Sequence, residues 1–222
     1  MLVTEADKLE HLKADVINIG HIALDVNQQI LAALETCDTA RLEEIKILTK
    51  HEIYAKINVI DSRVVNLLAL YGLEAKDLRL MVAYLKITNE FERILTRSRT
   101  FIRDFPNKIA DVDKDFVLEY AVPLHQSAVN ALKNDLTMLV ENDKSTIEQI
   151  FKSLVIEESN NDDLYKFAEK NILKKTDQDV YLTKEYQDIL LCLRRDEKIA
   201  DRALSIGFLL HYAKIGGKIE PM

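Results

Sequence analysis

The sequence predicts an all-α protein built as two tandem three-helix bundles, six long antiparallel helices in all, and three observations predict it. Turn formers are scarce: the 222 residues hold 5 Gly and 3 Pro, against usual shares of roughly 7% and 5%. A β-rich chain needs turn residues about every 8–12 positions. Apolar residues also recur at alternating spacings of three and four over long segments, which is the seam of an amphipathic helix. Finally, landmarks of the first half return in the second at a constant distance. Asp38 and Asp143 are 105 positions apart, and so are Glu92 and Glu197, as internal duplication produces.

The first helix is expected from Glu5 to about Thr36, opened by Thr4 with Asp7 and carried by Leu9, Leu12, Val16, Ile19, Ala23, Val26, Ile30 and Ala33. Asp38-Thr39 starts the second, on Leu42, Ile45, Ile53, Ile57, Ile60, Val64 and Leu67, with Gly72 as its stop. The third runs from about Glu74 to Asp104 on Leu78, Met81, Leu85, Thr88, Glu92 and Leu95, and Phe105-Pro106-Asn107 is read as a break. The fourth covers about Asp113 to Glu141, with Pro123 in its first turns and His125 on its stripe. Ser145-Thr146-Ile147-Glu148 is read as a capping box opening the fifth, which the polar stretch Glu157 to Asp163 could interrupt. The sixth covers about Asp179 to Lys214 and stops at Gly216-Gly217. Short connections make successive helices antiparallel neighbours. The first unit is residues 1–106 and the second 107–222.

With 48% hydrophobic and 30% charged residues the chain is globular and long enough to bury a core. Its net charge of −7 argues against a nucleic-acid partner, which calls for a basic face. No apolar run reaches the roughly 20 residues of a membrane span, and Met1-Leu2-Val3-Thr4-Glu5 lacks a signal-peptide pattern, so a cytoplasmic protein without a direct membrane span is expected. Cys37 and Cys192 have no metal or redox spacing and are expected to be buried small hydrophobes.

The informative feature is a carboxylate on a seam. Glu92 lies seven residues after Leu85, and Glu197 seven after Leu190 and seven before Leu204. A carboxylate on an apolar face needs a cation, a proton or a metal to compensate it. Asp201 stands one turn after Glu197, and Glu-x-x-x-Asp stacks two hard oxygen donors on one face, as an Fe, Mn or Mg site requires. Arg194, Arg195, Lys198 and Arg202 surround the same pair, so an ordinary salt-bridge cluster competes with a metal. In the first half Thr96 stands where the second acid would be. Arg93, Arg97, Arg99 and Arg103 make that helix basic, fit to contact an anion or a partner or to pair with acids on the first two helices, with an ordinary solvated charged face as the competing reading. His125 reads as a satisfied core histidine. There is no HExxH, no Glu-x-x-His, no phosphate-binding glycine loop and no GxSxG, and a non-enzymatic protein is expected.

The residues Glu74-Ala75-Lys76-Asp77-Leu78-Arg79-Leu80, running into Lys86-Ile87-Thr88-Asn89-Glu90-Phe91-Glu92-Arg93-Ile94, resemble the first repeat of the PhoU family. Arg194, Glu197, Ile199, Asp201 and Arg202 resemble its second repeat, with Lys198 for Arg and Ala200 for Gly. The resemblance implies two bundles related by pseudo-twofold symmetry. It also implies a regulator of inorganic phosphate transport and signalling, acting negatively between the ATPase of a phosphate ABC transporter and a phosphate-sensing histidine kinase. Homodimers, and iron or another metal at the E/D-x-x-x-D motif of each repeat, are implied as well. Carried onto this chain, the metal residues are Glu197 and Asp201, with Glu92 alone in the first repeat, where Leu95 replaces Gly and Thr96 replaces Asp. Glu157, Glu158, Asp162 and Asp163 are possible additional oxygen ligands. The alternatives are a helical carboxylate protein whose metal is its function, or a diverged helical scaffold.

Overall fold

The computed structural model describes residues 4–110, 112–178 and 180–216. Among them are seven α-helices and one short 3-10 turn, with no strand. Helix α1, Glu5–Glu35, opens on a reciprocal box: the Asp7 amide donates to the Thr4 hydroxyl (3.2 Å) and the Thr4 amide to the Asp7 carboxylate (2.9 Å). It closes with Cys37 in the left-handed region, φ 54°. The Asp38 amide reaches back to the Ala33 carbonyl and the Cys37 amide to Leu34, a Schellman pattern with cysteine in the place glycine usually takes. Cys37 is therefore exposed, contrary to expectation, while Cys192 is buried.

The expected second helix is divided. A six-residue α2, Thr39–Glu44, is capped by Asp38 and stops at Ile45. Helix α3, Lys50–Leu70, begins afresh on the Thr49–Glu52 capping box, with the Thr49 amide donating to Glu52 at 2.7 Å. The break has a visible cause, because the apolar stripe steps eight positions from Ile45 to Ile53 and the box lies inside the gap. Helix α3 ends before Gly72.

Helix α4, Ala75–Ile109, runs straight through the expected break. Pro106 removes one N–H and leaves a carbonyl of the preceding turn unpaired. Phe105 and Ile109 on either side are fully buried, and the rings of Phe101 and Phe105 stack 4.5 Å apart, which holds the last turn in place. The buried stripe of α4 passes through Tyr84, Ile87, Phe91, Leu95, Ser98 and Phe105, so Leu78 is exposed and Leu85 and Glu92 sit at its edge.

Helix α5, Lys114–Val140, is capped by Asp113 and likewise passes through its proline, Pro123. Helix α6, Lys144–Gln178, is unbroken through residues 157–163. There the buried Asn161 amide donates to the Leu124 carbonyl of α5 at 2.9 Å. The cap of α6 is Asp143, not Ser145: its carboxylate accepts from the Thr146 amide (2.8 Å) and from the Ser145 (2.6 Å) and Thr146 (2.9 Å) hydroxyls. Glu148 pairs instead with His211 of the last helix. After the 3-10 turn Val180–Leu182, helix α7, Thr183–Ile215, ends on Gly216 at φ 96°. The expected helix start at Asp179 and stop at Gly217 lie outside the described residues.

Helices α1, α3 and α4 pack together, as do α5, α6 and α7. Between the two groups α4 lies along α7, the most extensive helix contact in the molecule, and α1 lies against α5. One continuous apolar core results. The carboxylates singled out in the sequence thus sit on the two helices, α4 and α7, that join the groups.

Candidate functional site

Helix α7 carries Glu197 into the protein: the residue is 2% exposed, and its Oε2 has no hydrogen-bond partner. Its Oε1 takes an ion pair from Arg194 (2.9 Å) and one from Lys198 (3.2 Å). Lys198 also reaches the carboxylate of Asp201 at 2.5 Å. The ammonium therefore sits between the two acids of the Glu-x-x-x-Asp motif. Helix α6 adds acids from the other side, with Glu158, Asp162 and Asp201 each placing one oxygen within 4.8 Å of the others. Burial pushes the Glu158 carboxyl above its usual range, and Asp162 and Asp201 add to that. Burial does the same to Glu197, with the Asp201 charge second. Mutually repelling carboxylates around an open groove, one with a buried unpartnered oxygen, are a donor set that fits a hard cation. Lys198 competes with such an ion for Glu197 and Asp201. Of the other α6 acids in the sequence, Glu157 turns to the Ser127 hydroxyl of α5 and Asp163 to Lys166.

The first-half counterpart is poorer in acids. Glu92 is half-buried, and its carboxylate accepts one hydrogen bond, from Thr96 at 3.0 Å. Arg93 pairs with Glu90 of its own helix at 2.9 Å. Arg97 is half-buried near Arg202, Asp201 and Glu197 of the second-half cluster; burial, then the Arg202 charge, lowers its pKa, and its Nε has no partner. Arg202 in turn reaches Glu90 at 3.4 Å. Among the described residues the arginines of α4 form no ion pair with acids of the first two helices. Arg99 donates to the Leu48 carbonyl, and Arg103 takes Asp104. The structure thus brings Arg97 together with Glu197 and Asp201, whereas the carboxylate of Glu92 is taken by Thr96 of its own helix.

Two features escaped the sequence. His125 is fully buried as expected, with Nε2 3.0 Å from the Asn27 carbonyl, but its Nδ1 faces the buried Asp196 at 3.1 Å. Asp196 stands in sequence within the charged run Arg194 to Lys198. Its only signal is its place one residue before Glu197, on the same inward side of α7. Burial pushes its carboxyl up, opposed by His125. Asp135 of α5 is buried with both oxygens unpartnered, and burial holds its carboxyl well above the usual range.

Comparison with known proteins places this geometry. A PhoU domain is matched over residues 16–102, the segment that holds most of α1 through most of α4 and the first-repeat residues Asp77 to Ile94. PhoU from Pseudomonas aeruginosa superposes with a TM-score of 0.80 at 19% identity, covering 96% of this chain and 100% of that one. The phosphate transport system regulatory protein PhoU from Streptococcus pneumoniae gives 0.77 at 18% identity, covering 99% and 100%. A putative PhoU-like phosphate regulatory protein from Shewanella oneidensis gives 0.56 at 14% identity, covering 94% and 97%. These chains share the helical fold. No curated protein sequence matches the chain.

Proposed function

We propose that this chain, with a PhoU domain over residues 16–102 and the PhoU fold over nearly its whole length, is a regulator of inorganic phosphate transport and signalling. It is non-enzymatic and cytoplasmic, and it acts as a homodimer. It works by docking helix surfaces on the ATPase of a phosphate ABC transporter and on a phosphate-sensing histidine kinase, and it restrains phosphate-responsive expression. The observation that carries the reading is the domain match itself, which lies on the helices bearing the Asp77-Leu78-Arg79 and Glu90-x-Glu92-Arg93-Ile94 residues. No helix among the described residues is long and apolar enough to cross a membrane, which accords with a partner that meets the transporter from outside the bilayer. A deletion strain should lose phosphate-dependent control of expression. Unchanged control would remove the reading. Arg93 and Arg97 are proposed partner or anion contacts, and reversing their charge should weaken co-purification with the kinase or the ATPase.

A second reading has its own observation, the carboxylates of Glu158, Asp162 and Asp201 gathered beside the buried Glu197. We propose that Glu197 and Asp201, joined by Glu158 and Asp162, hold iron or another hard cation. Glu92, with Thr96 in place of a second acid, is at most a lone donor in the first half. Elemental analysis after metal-supplemented expression should find transition metal in the purified protein; protein free of it would rule this reading out.

A further inference from the structure

The molecule is acidic overall, yet one end of it is not. Where α1, α4 and α6 begin and α5 and α7 finish, their ends enclose a cleft of about 400 Å³, within the ~300–1,000 Å³ usual for small-molecule sites. Five cations line it, Lys13, Lys76, Arg79, Lys144 and Lys214, against two acids, Glu10 and Asp77. The local excess is three positive charges in a chain of net −7. Among the described residues none of the five forms an ion pair, whereas Lys108, Arg195, Lys198 and Arg202, half-buried elsewhere in the chain, each do. The Arg79 Nε is buried without a partner.

Lys214 is the anchor. Its ammonium donates to the Leu139 (2.9 Å) and Glu141 (2.5 Å) carbonyls, the free C-terminal acceptors of α5. Burial lowers its pKa to about 8, and the nearby Lys13 and Lys76 charges push the same way. Like charges held together in a half-buried cleft store an electrostatic cost that a bound anion relieves. Helix α4 opens there with no side-chain cap, so its first N–H groups add to the positive end. The floor is apolar, made by the buried Met81 and Tyr84.

We propose that this cleft binds an anion carrying two or more linked phosphate groups, with Lys13, Lys76 and Lys214 supplying charge and Arg79 a bidentate fork. A single phosphate, with a charge near −1.5 to −2 at neutral pH, balances only part of the excess and fills little of the space. A di- or triphosphate matches both, and the apolar floor can take the organic part of a nucleotide.

The test is calorimetric titration of the full chain with tripolyphosphate, with ATP and with orthophosphate at near-physiological salt. Tripolyphosphate and ATP should bind saturably and more tightly than orthophosphate. Tighter ATP would assign the floor to the nucleoside, while equal affinities would assign the site to phosphate chains alone. The K13E/K76E variant should lose at least tenfold in affinity. K152E/K174E, on exposed lysines of α6, makes the same change in net charge and should lose almost nothing. Thermal melting of both variants establishes that they are folded. No saturable binding of either polyphosphate, preference for orthophosphate, or equal losses in the two double variants would each overturn the proposal.

Discussion

The two halves of the molecule solve the same packing problem in opposite ways. In the first, Gly20 of α1 leaves room for the Phe91 ring of α4, so closely that a Cβ on Gly20 would lie 2.9 Å from it. Counting 105 residues on from each gives His125 of α5 and Asp196 of α7, which also meet, as a buried polar pair. One residue further, Glu92 takes a single hydrogen bond from Thr96, while Glu197 and Asp201 share Lys198 within a cluster of acids from two helices. Apolar filling has taken the first half at this level, and a buried polar pair the second. Polar burial is not absent from the first half, since Asn27 accepts from Ser98 at 3.0 Å, but no buried acid is involved. An aromatic ring in a glycine notch specifies shape alone. A buried acid and base specify shape and protonation together, and they leave an expensive residue if either is lost.

The largest expected effect follows from that asymmetry. H125L strands the Asp196 carboxyl in the core and should cost about 3–5 kcal/mol of unfolding free energy by urea titration. The H125L/D196L double variant should recover much of the loss, since an apolar pair is what the first half uses. A double variant no more stable than H125L would show that the second half depends on its polar pair in a way the first half does not.

Next in size is the response to a hard cation. If Glu197 and Asp201 hold Mn²⁺ or iron, saturating metal should raise stability by about 2.7 kcal/mol at a hundredfold excess over Kd. D201N should abolish the rise in melting temperature and E92Q should leave it intact. Equal sensitivity of the two variants would mean that the halves are not divided in the way their side chains indicate.

How much of this was legible depends on the range of the signal. Long helices were legible because scarce Gly and Pro and long three–four stripes are local facts. Pro106 misled because the rule that proline breaks a helix is also local, while Phe105 and Ile109 hold the turn around it through contacts made elsewhere in the core. The split of α2 from α3 was present in the sequence as Thr49-x-x-Glu52 inside a gap in the stripe. Glu197 and Asp201 could be found from spacing. Which acids of α6 face them could not, because that depends on the rotation of α6 against α7. Asp196 was hidden for a similar reason: its partner, His125, stands on another helix. The lysines of the cleft belong to four helix ends that only the packing brings together.

A smaller effect is expected at the notch itself. G20V would place a branched side chain where a Cβ alone meets Leu136 at 2.6 Å and Phe91 at 2.9 Å. Overpacking of this kind costs about 2 kcal/mol, read as a lower urea midpoint with an unchanged slope. If G20V instead proved neutral, the first half would be loosely packed at this level, and its contrast with the His125 pair would rest on chemistry and not on fit.

The smallest effect concerns the helix caps, which differ between the halves in the same direction. Asp38 accepts one hydrogen bond, from the Arg41 amide at 3.2 Å. Asp143, 105 residues on, accepts three, and those bonds, led by the one from the Ser145 hydroxyl, hold its pKa down to about 2. The group is exposed, so salt and solvent screen what it contributes. Its sign is nevertheless fixed. A carboxyl lowered in the folded state binds fewer protons than in the unfolded chain, so its contribution is complete above the ordinary value of 3.8 and is lost as pH falls toward 2. D143N keeps an N-cap acceptor for the Thr146 amide, since Asn and Asp cap about equally well, but cannot titrate. Between pH 4 and pH 2 the urea midpoint of the parent protein should therefore fall more steeply than that of D143N. Parallel curves would mean that the second-half cap is no more dependent on its charge than a neutral cap is.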